Sequence, residues 1–82
     1  MEYIKGIYKR SIYKSDKGYI VGIVKILDTN CSELFNYVNK TITFTGYFAD
    51  LKEDDRYIFY GNVVFHPKYG ILTVIGKAHL DT

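Results

Sequence analysis

Polar and apolar residues alternate most regularly between residues 41 and 48. The polar positions are Thr41, Thr43, Thr45 and Tyr47, and the apolar or small positions are Ile42, Phe44, Gly46 and Phe48. A period of two places the two sets on opposite faces of an extended strand. The pattern predicts a strand over Thr41–Phe48 with one polar face and one core face.

Two earlier segments have different patterns. Residues 19–27 are almost continuously apolar, which indicates a central strand covered on much of both faces. We expect Ile20, Val24 and Ile26 inside and Tyr19, Val21 and Ile23 outside. Residues 3–13 have no cleanly apolar face, which predicts a long strand that bends, with Gly6 easing the bend.

The last two strands, Arg56–His66 and Ile71–His79, are predicted to form a hairpin. Pro67 cannot donate a ladder hydrogen bond, so it belongs to the tip between them. On the first strand of this hairpin, the residues expected to face inward are Phe59, Gly61, Val63 and Phe65.

The segment from residue 31 to residue 40 fits either a short helix near residues 32–39 or a structured loop. Leu34, Phe35 and Val38 share one helical face, and Ser32 is a residue type that caps helices. About two turns of helix persist only when they pack on a core.

Five short strands in a small domain leave few ways to cover their edges. Closure into a barrel removes the edges, and the OB-fold is the commonest five-stranded solution, with an SH3-like barrel as the nearest competitor. The sequence therefore predicts an all-β, five-stranded antiparallel, OB-fold-like barrel that forms one domain over residues 1–82. We expect closure to bring the corners at residues 14–18 and 66–70 to one rim.

Composition and charge argue against several classes of site. The chain has 82 residues and a net charge of +2, with a basic first third and an acidic middle, which suggests one positive face. The single Cys excludes an internal disulfide, and no zinc-ligand or cofactor motif is present, so we expect no metal and no cofactor. A charged N-terminus and the lack of a long apolar run predict a cytoplasmic protein without a membrane partner.

Three segments of the chain carry a family resemblance. They are Gly6-Ile7 with Ile12-Tyr13, Gly18-Tyr19 and Val21; Thr43 to Phe48; and Gly61 to Gly70, which contains Gly-x-x-x-x-His-Pro-x-Tyr-Gly. In this order and spacing the chain resembles the N-terminal OB domain of the RecD-like, YrrC-type ATP-dependent DNA helicases of bacteria, relatives of the exodeoxyribonuclease V alpha subunit. Ile71-Leu72-Thr73 departs from the Gln-Phe pair that often follows in that family.

The resemblance implies a non-catalytic module that assists single-stranded DNA engagement by a motor outside this chain. The sequence contains no Gly-x-x-x-x-Gly-Lys-Ser/Thr motif for ATP phosphates. Its two histidines, His66 and His79, have no partnered nucleophile, so we expect no enzymatic activity from this chain. We expect it to be the N-terminal piece of a larger DNA-repair helicase, with the motor domains of the parent chain as one partner.

OB-folds bind single strands across strands two and three, between the loops that join strands one to two and four to five. The predicted nucleic-acid-binding residues are Lys14, Lys17, Tyr19, Tyr47, His66, Lys68 and Tyr69. Each tyrosine fits a half-buried strand position as well as a stacking platform, and His66 fits a turn role beside Pro67. With few cations in any groove, binding to single-stranded DNA should be weak and salt-sensitive.

A protein-interaction module without DNA contact is the alternative function. The acidic connection from Asp50 to Asp55 suits a basic protein surface and repels phosphate. A protein partner therefore remains a second hypothesis beside single-stranded DNA.

Overall fold

The computed structural model describes the backbone of residues 2–48, 51–66 and 70–80, and the side chains of these ranges except residues 65–76. The strands are β1 (Glu2–Lys14), β2 (Tyr19–Thr29), β3 (Thr41–Tyr47), β4 (Arg56–His66) and β5 (Gly70–Leu80), with a 3₁₀ helix at Ser32–Tyr37. All five predicted strands are confirmed, with bounds that differ by up to two residues. None of the helices in the described ranges is long and apolar enough to cross a membrane.

The strands close into a barrel in the order β1-β2-β3-β5-β4. β1 pairs antiparallel with β2 on one side and with β4 on the other, while β3 and β5 close the barrel as a parallel pair. The predicted all-β, OB-fold-like barrel is confirmed. Its closure encloses one core, as expected for so short a chain.

β1 bends by means of interruptions in its pairing with β2. The register shifts between Lys5 and Gly6, between Tyr8 and Arg10, and between Ser11 and Tyr13. A Cβ atom at Gly6 would collide with the carbonyl oxygen of Lys25. Gly6 therefore lets the two backbones approach closely, which supports the predicted bend.

The core lies inside the barrel and is rich in aromatic rings. Its most buried residues include Ile4, Tyr8, Ile20, Val24, Ile26, Leu34, Ile42, Phe44, Tyr57 and Phe59. The rings of Phe44 and Phe59 lie 5.1 Å apart, centroid to centroid. The predicted inward positions of β2 are confirmed, and so are Ile42 and Phe44 of β3. On β4, Phe59 is fully buried and Val63 packs partly against the core, whereas the side chain of Phe65 lies outside the described set.

The segment after β2 forms a 3₁₀ helix in which Leu34 is the buried residue. Leu34 is fully buried, but Phe35 is 56% exposed, so the prediction that both share the packed face is wrong. A 3₁₀ helix has three residues per turn, so the residue that shares the inward face with Leu34 is Tyr37, which is partly buried and packs against the core. Ser32 is not the cap either: Cys31 occupies that position, no side chain caps the helix, and the Leu34 N–H donates to the Cys31 carbonyl at 3.0 Å.

Candidate nucleic-acid interface

The β1–β2 connection is a tight turn closed by its own hydrogen bonds. The Ser15 N–H donates to the Tyr19 carbonyl at 2.8 Å, and the Gly18 N–H donates to the Ser15 carbonyl at 3.2 Å. Ser15 Oγ also accepts from the Tyr19 N–H at 3.1 Å. Gly18 has a φ of 90°, a left-handed conformation that glycine adopts without a Cβ clash. The turn therefore fixes the backbone from which Lys17 projects.

A further hydrogen bond ties this turn to the end of β3. The Phe48 N–H donates to the Gly18 carbonyl at 3.0 Å. Lys17, Gly18, Tyr47 and Phe48 line an open depression of about 270 Å³ between the two segments. The depression places a cation beside an aromatic ring.

Lys14 and Lys17 both lie exposed at this end of the barrel, with the exposed Asp16 between them. Within residues 2–48, 51–66 and 70–80 the ion pair formed is Lys9 with Asp54, at 3.6 Å, and it involves neither of these lysines. Their ammonium groups are therefore available to an anionic ligand.

Tyr19 and Tyr47 face each other as a cross-strand pair of β2 and β3. Their ring centroids lie 5.3 Å apart with an interplanar angle of 64°, an edge-to-face contact. Tyr19 is half-buried, whereas Tyr47 is 70% exposed. The pairing supports the Tyr47 ring while leaving much of its surface open to solvent.

The middle of the β2–β3 outer face is recessed. Next along the ladder, Val21 pairs with Thr45, and the two residues are only 6% and 5% exposed. The burial of Val21 agrees with the prediction that β2 is covered on much of both faces, whereas the polar outer face predicted for β3 is not exposed at Thr45. Beyond them Ile23 pairs with Thr43, and both are half-buried. The face has an apolar floor with the tyrosine pair at one end.

Two residues of β1 join this face, and sequence reasoning missed both. Arg10 pairs with Ile23, and Tyr13 pairs with Val21, so each lies on the outer side next to β2. Arg10 is exposed and Tyr13 is 55% exposed. Simple alternation does not identify them, because two register shifts after Tyr8 change which residues of β1 face outward. The sequence did indicate an irregular strand here, because neither face of β1 is cleanly apolar.

Lys25 lies on the same outer surface, at the opposite end of the ladder from the tyrosines. It pairs with Thr41 of β3 and is half-buried. The residues predicted to bind nucleic acid did not include this lysine.

The remaining predicted residues belong to the β4–β5 connection. His66 and Gly70 pair with each other at its two ends. The side chain of His66, and Lys68 and Tyr69 entirely, lie outside the described residues, so their contribution to the site stays a prediction.

The register shows where this connection begins and ends relative to the tyrosine pair. Leu72 pairs with Thr43, so Gly70, two residues earlier on a strand parallel to β3, lies toward Thr41. The Tyr19–Tyr47 pair is at the other end of the ladder, six steps of about 3.3 Å away, or about 20 Å. The expectation that both corners meet at one rim is therefore wrong. β2 and β4 both run antiparallel to β1, so the start of β2 and the end of β4 lie at opposite ends of the barrel. The two corners therefore lie at the two ends of the β2–β3 face.

The acidic turn before β4 is attached to β1. The Asp54 N–H donates to the Tyr8 carbonyl at 2.7 Å, and the Tyr8 N–H donates to the Asp55 carbonyl at 3.1 Å. Glu53 and Asp54 are exposed. These carboxylates give one patch of negative charge that would repel phosphate.

Cys31 lies under the 3₁₀ helix and is 2% exposed. Burial raises the pKa of its thiol, and a hydrogen bond with the Glu2 side chain acts in the same direction. A neutral, buried thiol is a poor nucleophile. Over the described part of the chain, no three His, Cys, Asp or Glu side chains cluster in a way that could hold a metal ion.

Comparison with known families gives a match to an OB-fold domain. The model of the OB-fold domain of ATP-dependent DNA helicase YrrC matches residues 1–71, which include β1 to β4 and the first residues of β5. No solved structure gives a significant match to the chain.

Proposed function

Because the chain belongs to the family of OB-fold domains of the ATP-dependent DNA helicase YrrC, we propose that it binds single-stranded DNA across the outer face of β2 and β3. In this role it assists strand engagement by the ATP-dependent motor of a larger helicase, of which it is the N-terminal domain. The observation that carries the proposal is the Tyr47 ring, which is 70% exposed, makes an edge-to-face contact with Tyr19 and lies beside the cation of Lys17.

Base stacking on Tyr47 supplies the first part of the binding energy. An aromatic platform contributes roughly 1–3 kcal/mol per stacked base and tolerates any sequence, because every base has a π-face. Tyr19 is already packed and loses little freedom on binding. The half-buried pair of Ile23 and Thr43 offers a low floor over which the strand passes.

Phosphate contacts supply the second part. Lys14 and Lys17 bind the backbone at the tyrosine end, Arg10 binds it along β1, and Lys25 binds it at the far end. His66, Lys68 and Tyr69 extend the contact on that far side. With three or four phosphates neutralised, the logarithm of the binding constant should fall with the logarithm of salt concentration with a slope of about −2 to −3.

The first test is a titration of a fluorescently labelled oligothymidylate with the 82-residue chain at about 50 and about 200 mM salt. Tyr47→Ala should weaken binding about tenfold at both concentrations, because a stacking platform is removed. Lys17→Gln should lower the magnitude of the salt slope by about 0.7, because one phosphate contact is removed.

Matched controls exist elsewhere on the surface. Phe35→Ala removes an aromatic ring that is 56% exposed on the 3₁₀ helix, and Lys52→Gln removes an exposed lysine in the acidic turn. Both should bind like the unmodified chain. A chain that stays folded and shows no binding at the lower salt concentration would rule out this function.

The second candidate function is docking onto a basic protein surface. It is favoured by the exposed carboxylates Glu53 and Asp54 in the turn before β4. Under this function Glu53→Gln with Asp54→Asn would weaken association with the parent motor domains, while Tyr47→Ala would leave that association unchanged.

A further inference from the structure

A second group of aromatic and cationic side chains lies on the outer surface of β1, β4 and β5. Tyr3 of β1 pairs with Tyr60 of β4, and Tyr60 pairs with Lys77 of β5. One row along, Lys5 pairs with Ile58, and Ile58 pairs with His79. We call this surface the β4 face; its members are Tyr3, Lys5, Ile58, Tyr60, Lys77 and His79.

The rings of the β4 face are partly open and contact one another or a cation. Tyr60 and His79 meet edge-to-face, with ring centroids 6.1 Å apart and an interplanar angle of 73°. Lys5 Nζ lies 5.9 Å from the centroid of the Tyr3 ring. Tyr3 and Tyr60 are half-buried, whereas Lys77 and His79 are exposed. The β4 face therefore presents aromatic rings beside lysine ammonium groups.

The charge of the β4 face is predominantly positive. Lys5 and Lys77 belong to it, and Arg56 continues it at the start of β4. Asp28 of β2 pairs with Lys5 and accepts a hydrogen bond from the Tyr3 hydroxyl at 3.4 Å. Glu2 lies on the opposite parity of β1, where its side chain forms a hydrogen bond with Cys31. Within the described residues, the carboxylate of Asp28 thus adjoins a surface with three cations.

We propose that the β4 face is a second binding surface for single-stranded nucleic acid. Stacking rings interleaved with cations on a strand surface are the combination that binds bases and phosphates without reading sequence. No member of the β4 face belongs to the β2–β3 face, so the proposal stands independently of the function proposed above. A protein ligand is less favoured, because Lys5 and Lys77 flank rings that a base would cover.

The two faces are connected by one row of cross-strand neighbours. Lys25 of β2 pairs with Ile7 of β1, and Ile7 pairs with Arg56 of β4. Lys25 and Arg56 are therefore two strand spacings apart, or about 10 Å. A nucleic-acid strand that leaves the β2–β3 face at Lys25 would next meet Arg56, the cation that adjoins the β4 face.

The test is a count of six-nucleotide oligothymidylates bound per chain, by native mass spectrometry together with calorimetric titration at low salt. The unmodified chain should bind two. In the background Tyr47→Ala with Lys17→Gln, the remaining binding should weaken about tenfold on Tyr60→Ala and stay unchanged on Tyr60→Phe, which keeps the stacking ring. In the same background Lys77→Glu should also weaken it, and because Lys77 is exposed this change leaves the fold intact.

The outcomes separate the two proposals. Two bound oligonucleotides with a loss confined to the β4-face variants support this inference. If one oligonucleotide binds and Tyr47→Ala alone removes it, the β4 face is not a nucleic-acid site and the proposed function stands. If Tyr60→Ala and Lys77→Glu remove all binding while Tyr47→Ala removes none, the proposed function fails and this inference stands. No change in any variant would overturn the inference and leave the β4 face to a protein partner.

Discussion

The two tyrosines at the end of the β2–β3 ladder differ in exposure although they occupy one cross-strand position. Tyr19 is half-buried and contacts Tyr47 edge-to-face, while Tyr47 keeps most of its surface in solvent. An exposed aromatic side chain held by a neighbour loses little conformational entropy when a ligand stacks on it. This difference identifies Tyr47, rather than Tyr19, as the stacking platform of the proposed site.

At Cys31 the structure predicts a pH-dependent stability. The folded pKa of the thiol is raised above its ordinary value of 9.0 by burial, so the unfolded chain ionises at a lower pH than the folded chain does. The contribution of the thiol is fully present below the unfolded pKa and is lost as the pH rises through that value toward the folded one. Urea unfolding at about pH 7.5 and about pH 9.5 should show a larger fall in unfolding free energy for the unmodified chain than for Cys31→Ala.

Cys31→Ala is a suitable reference because the backbone hydrogen bonds at this position remain. The Cys31 N–H donates to Thr29 Oγ1 at 3.1 Å, and the Cys31 carbonyl accepts from Leu34. Other groups titrate alike in both proteins, so the difference between them isolates the thiol. Equal falls in both proteins would contradict the assignment of a raised pKa.

Among the elements, β3 and β1 show where sequence patterns are sufficient and where they are not. β3 has no register shift in its pairing with β2, and its alternation correctly predicts that Ile42 and Phe44 face the core. β1 has three register shifts along its pairing with β2. Each shift changes the relation between sequence parity and face, so Arg10 and Tyr13 could not be placed from the pattern.

Burial on the outer side of a strand is a second feature that a pattern does not predict. Thr45 has the parity of the polar face of β3 but is covered, because exposure depends on neighbours from other strands as well as on parity. Phe35 shows the opposite error. Its predicted place on the packed face assumes 3.6 residues per turn, whereas this helix has three residues per turn. The family resemblance, by contrast, was carried by local motifs and is confirmed by the match over residues 1–71.

Among the residues of the 3₁₀ helix, Leu34 is predicted to contribute most to the free energy of unfolding. Leu34→Ala should lower the free energy of unfolding by roughly 2–5 kcal/mol, because a fully buried side chain is replaced by a cavity. The matched change Phe35→Ala, at the next residue, should alter it by less than about 0.5 kcal/mol. Urea denaturation with a constant slope measures both. Similar losses in the two variants would show that the helix packs through both side chains.

At the scale of the whole molecule, closure depends on the pairing of β3 with β5. Within the described residues this ladder has three aligned pairs, whereas β4 and β5 share ten. Parallel pairing is also slightly less stable per residue than antiparallel pairing. The seam between β3 and β5 is therefore where we expect the barrel to open first.

Hydrogen exchange followed by NMR tests this expectation on the two edges of one strand. Amides of β3 that donate to β5 should exchange faster than amides of β3 that donate to β2, where seven pairs are aligned. The comparison holds the strand constant and changes only its partner. Uniform protection on both edges would mean that the barrel opens only by global unfolding.

Overall architecture was more predictable than the position of the two loops around it. Strand count and closure follow from hydrophobic patterns and from the small number of ways to cover strand edges. The separation of the two corners depends on strand direction and register, which no local pattern contains. The position of Gly70 near Thr41 follows from the register, in which Thr43 aligns with Leu72.

The turn between β1 and β2 is closed on both flanks, by the hydrogen bonds of Ser15 with Tyr19 and of Gly18 with Phe48. Its length is consequently fixed by the barrel itself. An inserted residue near Asp16 would shift the Gly18 carbonyl away from its donor on the neighbouring segment and move Lys17 off the edge of the depression. We therefore expect related chains that keep this attachment to keep the number of residues in the turn as well as Gly18 and its positive φ.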